Sequence, residues 1–178
     1  RQLKPRERAK RGAKKELGCF LRIDSGSTTA KVLVTDTEGS IVYNFYDRNE
    51  GNPLKKVIGG ISGFYKEAAE EGVTVRFISS AATGYGEDLV KSALGLDYGI
   101  VETMAHLSGA QYVDPNVSFV LDIGGQDMQS IFTRGGVISN VELNEACSSG
   151  CGSFLQNFAS TMNMSLAQFT EAACSAEY

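Results

Sequence analysis

The feature of this sequence that most restricts its fold is a pattern that occurs twice: an apolar strand ending in an aspartate, a short glycine-containing turn, and another strand. The first copy runs from Asp24 to Lys31 (DSGSTTAK) and the second from Asp122 to Asp127 (DIGGQD). Glycine allows the backbone to approach an anion closely, and successive N–H groups in a turn form an anion-binding concavity. One such turn is a weak signal, but two turns of the same design in one chain indicate a nucleotide site.

The side chains of the two turns suit a nucleoside triphosphate bound with Mg²⁺. Asp24 and Asp122 offer carboxylates for the cation, directly or through water. The sequence contains no G-x-x-x-x-G-K-[ST] pattern, so the site is not a Walker loop. For the first turn alone, a polar β-turn with an incidental aspartate is an equally good interpretation. The groups available to phosphate are backbone or side-chain donors of Gly26, Ser27, Thr28, Thr29, Lys31, Gly124, Gly125 and Gln126.

The periodicity of apolar residues predicts an α/β fold with the element order βββ-α-β-α-α-ββ-αα. The first three strands are joined by short turns, which predicts an antiparallel meander at the start of a mixed sheet of five or more strands. We expect helices on both faces of this sheet. Pro53 and Gly72 are typical of the first and last turns of the helix between them. The almost wholly apolar segment 117–123 predicts a central strand that is buried on both faces.

The distribution of charge separates a basic head from an acidic body. Residues 1–17 contain eight basic and two acidic residues and carry +6, whereas the whole chain carries −4 and the remainder therefore −10. We interpret the head as a linker or connector, and the acidic body excludes a general nucleic-acid binder. Apolar runs are too short for a membrane span or a signal peptide, which predicts a cytoplasmic protein. The four cysteines fit neither a zinc-finger spacing nor a disulfide scaffold.

Five segments resemble one family, the ATP-dependent activators of 2-hydroxyacyl-CoA dehydratases and benzoyl-CoA reductases (the CoA-substrate-specific enzyme activase family). These segments are Ile23–Lys31, Ala82–Gly86, Glu102–His106, Asp122–Asp127 and Asn144–Cys147, in family order. The family belongs to the superfamily of actin, sugar kinases and heat-shock chaperone ATPases. The resemblance therefore implies a ribonuclease-H-like lobe over residues 18–178, including the start of the region between lobes, with a second lobe absent from this chain.

The resemblance also implies an activity. Family members are homodimers that hydrolyse ATP and pass a low-potential electron from a [4Fe-4S] cluster, shared between subunits, to a dehydratase or reductase; ferredoxin or flavodoxin would supply the electron. On matched positions, Cys147 would be a cluster ligand, and Asp24 and Asp122 would be catalytic and near Mg²⁺. Cys147 precedes a predicted helix, and a helix N-terminus favours the thiolate that binds metal. We expect the isolated chain to be inactive, because half of the cleft would be missing.

Several alternatives stay open at this point. Glu102 and His106 lie four residues apart on one predicted helix face, and they could form a local pair or part of an electron-transfer interface. Cys151 could be a second ligand, a redox partner or a packed thiol. At the level of function, the alternatives are a sugar or amino-sugar kinase lobe of the same superfamily and a non-catalytic nucleotide-binding domain within a larger fusion protein.

Overall fold

A computed structural model describes residues 16–144 and 151–176. They divide into two units, with the boundary between Ala105 and His106. Helix α3 (Glu102–Val113) contains this boundary. The other elements of the first unit are β1 (Glu16–Ser25), β2 (Thr29–Asp36), β3 (Ile41–Arg48), α1 (Pro53–Glu70), β4 (Thr74–Thr83), α2 (Glu87–Leu94) and β5 (Tyr98–Gly99). Those of the second unit are β6 (Phe119–Ile123), β7 (Met128–Arg134), β8 (Val137–Asn144), α4 (Gly152–Thr161) and α5 (Leu166–Cys174).

The first unit contains a five-stranded mixed sheet in the order β3-β2-β1-β4-β5. Strands β1, β2 and β3 form the predicted antiparallel meander, while β4 and β5 run parallel to β1 and to each other. The α/β prediction with a mixed sheet is therefore confirmed. The two-residue strand β5 was not predicted, because it is too short to carry a periodic pattern. In this strand order β1 lies at the centre of the sheet and is paired with β2 on one side and β4 on the other.

Helix α1 covers part of this sheet with an apolar face. It begins at Pro53, and the Asn52 side chain caps it by accepting a hydrogen bond of 3.0 Å from the Lys55 N–H. Phe64 is fully buried, and its ring lies 5.3 Å from that of Tyr43 and 6.0 Å from that of Phe77. These contacts join the helix to β3 and β4.

The second unit contains a separate antiparallel sheet in the order β6-β7-β8. The prediction that the strand near residues 117–123 is buried on both faces is wrong for the described residues. Phe119, Leu121 and Ile123 are 46%, 49% and 50% exposed. The physical reason is that β6 pairs only with β7 within the described part of the chain, so it is an edge strand with one uncovered face. The predicted extent of the first lobe, residues 18–178, stays a prediction, although the chain divides into units within it.

None of the helices in the described ranges combines the length and the apolar character that crossing a membrane requires. Residues 1–15 of the basic head lie outside the described residues, and residues 16 and 17 belong to β1.

The aromatic cluster under α1 yields a stability prediction. Phe64→Ala should lower the free energy of unfolding by about 3–5 kcal/mol, because it removes a fully buried ring and leaves a cavity. Tyr65→Ala is the matched control, since the neighbouring ring is 46% exposed and should cost clearly less. Urea denaturation followed by far-UV circular dichroism measures both. Equal losses for the two variants would contradict this description of the core.

Candidate functional site

The first glycine turn, residues 26–28, connects β1 to β2 and follows directly from Asp24 and Ser25. Asp24 is the Cα partner of Lys31 across the antiparallel pair. The Lys31 Nζ atom donates a hydrogen bond of 2.6 Å to Asp24 Oδ2, and the two side chains are 47% and 28% exposed. Lys31 Nζ also lies 5.9 Å from the centre of the Tyr46 ring on β3. The structure thus places an ammonium group and a carboxylate side by side at the start of the turn.

The loop after β4 packs tightly against the same strand end. Asp24 is paired with Thr83, the last residue of β4, and Gly84 follows it. A Cβ atom at Gly84 would lie 2.8 Å from Asp24 Oδ1 and 2.8 Å from the Ser25 carbonyl oxygen. The Gly86 N–H donates a hydrogen bond of 2.8 Å to that carbonyl. This close approach gives the Thr83–Gly86 segment a role that turn propensity alone did not reveal: its glycines hold the backbone beside the Asp24 carboxylate.

Ser25 itself is completely buried under this loop. Its Oγ atom has no hydrogen-bond partner among the described residues. A Cβ atom at Gly86 would overlap with that oxygen. Ser25 is therefore part of the packing between β1 and the loop, whereas Ser27 and Thr28 on the turn are only partly buried.

The second glycine turn, residues 124–127, lies in the second unit and connects β6 to β7. Asp122 is the Cα partner of Gln129, whose Nε2 atom lies 3.5 Å from Asp122 Oδ2. His106 Nε2 lies 3.4 Å from the same oxygen. Asp122 therefore faces an amide and an imidazole where Asp24 faces an ammonium group. The contact with His106 was not predicted, because 16 residues separate the two in sequence.

The first turn of α4 binds the second glycine turn through backbone hydrogen bonds. The N–H groups of Gly152 and Ser153 donate 2.9 Å hydrogen bonds to the carbonyl oxygens of Gly124 and Gly125, respectively. Helix N-termini leave such N–H groups without partners inside the helix, so the turn satisfies two of them. A Cβ atom at Gly152 would lie 3.2 Å from the Gly124 oxygen. The turn and the start of α4 thus form one hydrogen-bonded structure.

The two strand–turn–strand segments have the same register. Asp24 pairs with a residue seven positions later, and so does Asp122. The second strand of each segment carries a β-bulge at the same place, ten residues after the aspartate, between Val34 and Thr35 and between Phe132 and Thr133. The similarity predicted from sequence therefore extends to the hydrogen-bonded backbone of three strands in each unit.

The remaining sequence candidates occupy different positions. Glu102 is the first residue of α3, and His106 lies one turn later. Burial raises the pKa of the Cys19 thiol in β1 to about 11, which keeps it protonated and disfavours metal binding. Cys151 is buried before α4, with its Sγ atom 3.1 Å from Ser153 Oγ. Cys174 is exposed at the end of α5. Cys147 lies outside the described residues.

The fold is the ribonuclease-H-like fold of the actin-like ATPase class. The chain belongs to the BadF/BadG/BcrA/BcrD ATPase family, whose model matches residues 21–178. The (R)-2-hydroxyglutaryl-CoA dehydratase activating ATPase of Acidaminococcus fermentans is 31% identical over 156 residues, which cover 85% of this chain and 56% of that protein. The chain spans about half the length of the curated relatives it matches.

Two solved structures of activators have a fold similar to that of this chain. The crystal structure of component A of the Acidaminococcus fermentans dehydratase superposes with a TM-score of 0.73 at 28% identity, covering 90% of this chain and 60% of that chain. The activator of the 2-hydroxyisocaproyl-CoA dehydratase from Clostridium difficile, solved with bound ADPNP, also has a TM-score of 0.73. It is 21% identical and covers 90% of this chain and 58% of that chain, and this likeness concerns the fold alone.

The packing of Gly84 against Asp24 can be tested with two alanine variants. Gly84 has φ +89° and Gly39 has φ +83°, so alanine is strained by the backbone at both positions. Of these two glycines, Gly84 has atoms within 4 Å of an added Cβ and Gly39 has none. Gly84→Ala should therefore cost about 1–3 kcal/mol more free energy of unfolding than Gly39→Ala. Urea denaturation measures the difference, and equal costs would show that the loop does not press on Asp24.

Proposed function

We propose that this chain is the nucleotide-binding part of an activator that couples ATP hydrolysis to low-potential electron transfer. The electron would pass from a [4Fe-4S] cluster to a 2-hydroxyacyl-CoA dehydratase or a similar CoA-ester reductase. The observation that carries this proposal is the pair of strand–turn–strand segments with an aspartate at the same position and register. Because the chain spans about half the length of its relatives, we assign this activity to the whole protein.

The residues of both turns fit the phosphates of ATP and a bound Mg²⁺. Asp24 and Asp122 are partly buried carboxylates at strand ends, the ligand type that Mg²⁺ prefers. The Lys31 ammonium is a point charge suited to a phosphate oxygen. When bound, ATP supplies the phosphoanhydride whose hydrolysis releases the free energy. The residues proposed to contact its phosphates are Gly26, Ser27, Thr28, Thr29, Lys31, Gly124, Gly125 and Gln126.

We further propose Cys147 as this chain's ligand to the cluster, with the other ligands supplied by a region outside this sequence and by a second copy in a homodimer. Metal binding requires a thiolate, and the buried Cys19 is held as a thiol. Cys151 is buried against Ser153. The proposed protein is cytoplasmic and receives electrons from ferredoxin or flavodoxin.

The two aspartates can be tested by charge removal. Asp24→Asn and Asp122→Asn should each lower the ATPase kcat of the whole protein by about 100-fold or more, because carboxylates that hold Mg²⁺ contribute several kcal/mol. Asp88→Asn, at an exposed position in α2, removes the same charge and should retain activity. Full ATPase activity in both site variants would contradict the proposed site.

The cluster ligand can be tested by spectroscopy. Protein that contains this chain and is purified anaerobically should show a broad visible iron–sulfur absorption, and Cys147→Ser should abolish it while ATP binding persists. Cys174→Ser, at an exposed position, is the control and should keep the absorption. An unchanged spectrum in Cys147→Ser would contradict the assignment. A colourless protein that phosphorylates a sugar would favour the kinase alternative.

A further inference from the structure

Asn49, which follows β3, is bound to the first glycine turn by three hydrogen bonds. Its Nδ2 group donates to the carbonyl oxygens of Gly26 at 2.8 Å and Ser27 at 2.9 Å. Its backbone N–H donates to the Thr28 carbonyl oxygen at 2.9 Å. The residue is only 5% exposed. One buried asparagine thus binds three consecutive carbonyl groups of the turn.

The orientation of the Asn49 amide is fixed from its other side. The Gly51 N–H donates a hydrogen bond of 3.0 Å to Asn49 Oδ1, so the NH₂ group must face the turn. Glu50 and Gly51 have φ +50° and +77°, and this turn returns the chain toward Asn49. The Asn52 N–H then donates to the Asn49 carbonyl at 2.8 Å, immediately before α1. Asn49 is therefore held in place by the segment that begins the helix.

Binding these carbonyls also determines where the N–H groups of the turn point. In a trans peptide the C=O and the following N–H point in opposite directions. The Gly26 and Ser27 carbonyls face Asn49, so the N–H groups of Ser27 and Thr28 face away from it. Neither N–H, and neither of these two hydroxyls, bonds to another described residue. The turn therefore presents free donors on the side opposite Asn49.

The second glycine turn has the same arrangement with different donors. Its first two carbonyls, those of Gly124 and Gly125, are bound by backbone N–H groups of α4. These carbonyls occupy the positions equivalent to Gly26 and Ser27 when the two aspartates are aligned. In both units, therefore, the first two carbonyl groups of the glycine turn accept hydrogen bonds from donors outside the turn.

We propose that Asn49 is a positioning residue for nucleotide binding: its side-chain amide binds the carbonyls of the first turn and thereby keeps the Ser27 and Thr28 N–H groups directed toward phosphate. This inference rests on the proposed ATP-binding function and adds a residue outside both glycine turns. Asn49 lies more than 20 residues from the turn in sequence.

The test compares the same substitution at two asparagines. Asn49→Asp keeps the acceptor for the Gly51 N–H but removes both side-chain donors to the turn. Asn52→Asp adds the same charge three residues away, where the side chain acts only as an acceptor at the helix cap, a role that aspartate fills equally well. Both variants should retain the circular dichroism spectrum of the parent protein. Asn52→Asp should leave the Tm within a few degrees of the parent value, whereas Asn49→Asp should lower it, because two carbonyls of the turn lose their donors and a charge is placed at a residue that is 5% exposed.

Two NMR measurements on isotope-labelled whole protein that contains this chain then separate the outcomes. Without ligand, Asn49→Asp should shift and broaden the Ser27 and Thr28 amide signals, whereas Asn52→Asp should leave them unchanged. Titration with Mg-ATP should shift these two amides in the parent protein and in Asn52→Asp, and Asn49→Asp should raise the apparent Kd at least about tenfold, the effect of losing two hydrogen bonds.

Each result has a distinct meaning. Unchanged turn signals in ligand-free Asn49→Asp, or an unchanged Kd, would overturn the role of Asn49. If Mg-ATP moves no amide in the parent whole protein, the proposed nucleotide site is contradicted, while the ligand-free spectra still decide whether Asn49 positions the turn. If Asn49→Asp does not fold, Asn49→Ala removes both donors without adding a charge. It is compared with Asn52→Ala, with the same expected changes and the same overturning results.

Discussion

The pairing of β1 on both of its sides is the constraint on which the surroundings of Asp24 depend. The antiparallel partner β2 brings Lys31 opposite Asp24, and the parallel partner β4 brings Thr83 and the following glycines to its other side. An aspartate on an edge strand would have only one of these neighbours. Because β1 is central, its end is enclosed by backbone on one side and by a cation on the other, and Asp24 is held within 2.6 Å of Lys31.

The two strand–turn–strand segments place different side chains beside their aspartates. In the first unit the aspartate has an ammonium partner, and in the second it has an amide and an imidazole within 3.5 Å. The Lys31 ammonium places positive charge beside the first carboxylate, whereas the partners of the second carboxylate are an amide and an imidazole. The two segments thus share a backbone register and differ in the side chains beside the aspartate.

Both turns also depend on donors that lie outside them. A tight turn has more carbonyl groups than it can satisfy internally, and an unbound buried carbonyl is costly. The Asn49 side chain meets this need in the first unit and the N-terminal turn of α4 meets it in the second. In the second case the donor helix follows directly after Cys151.

The sequence by itself determined the meander, the position of both aspartates and the family, because alternating apolar residues, glycine turns and short motifs are local signals. It also determined the limits of α1, which Pro53 and Gly72 mark. Only the tertiary structure decided the order β3-β2-β1-β4-β5, the exposed face of β6 and the contact between Gly84 and Asp24. Asn49 belongs to this second group. An asparagine in a loop has no periodicity to reveal its partners, and its contacts with the turn exist only after β2 and β3 have brought distant parts of the chain together.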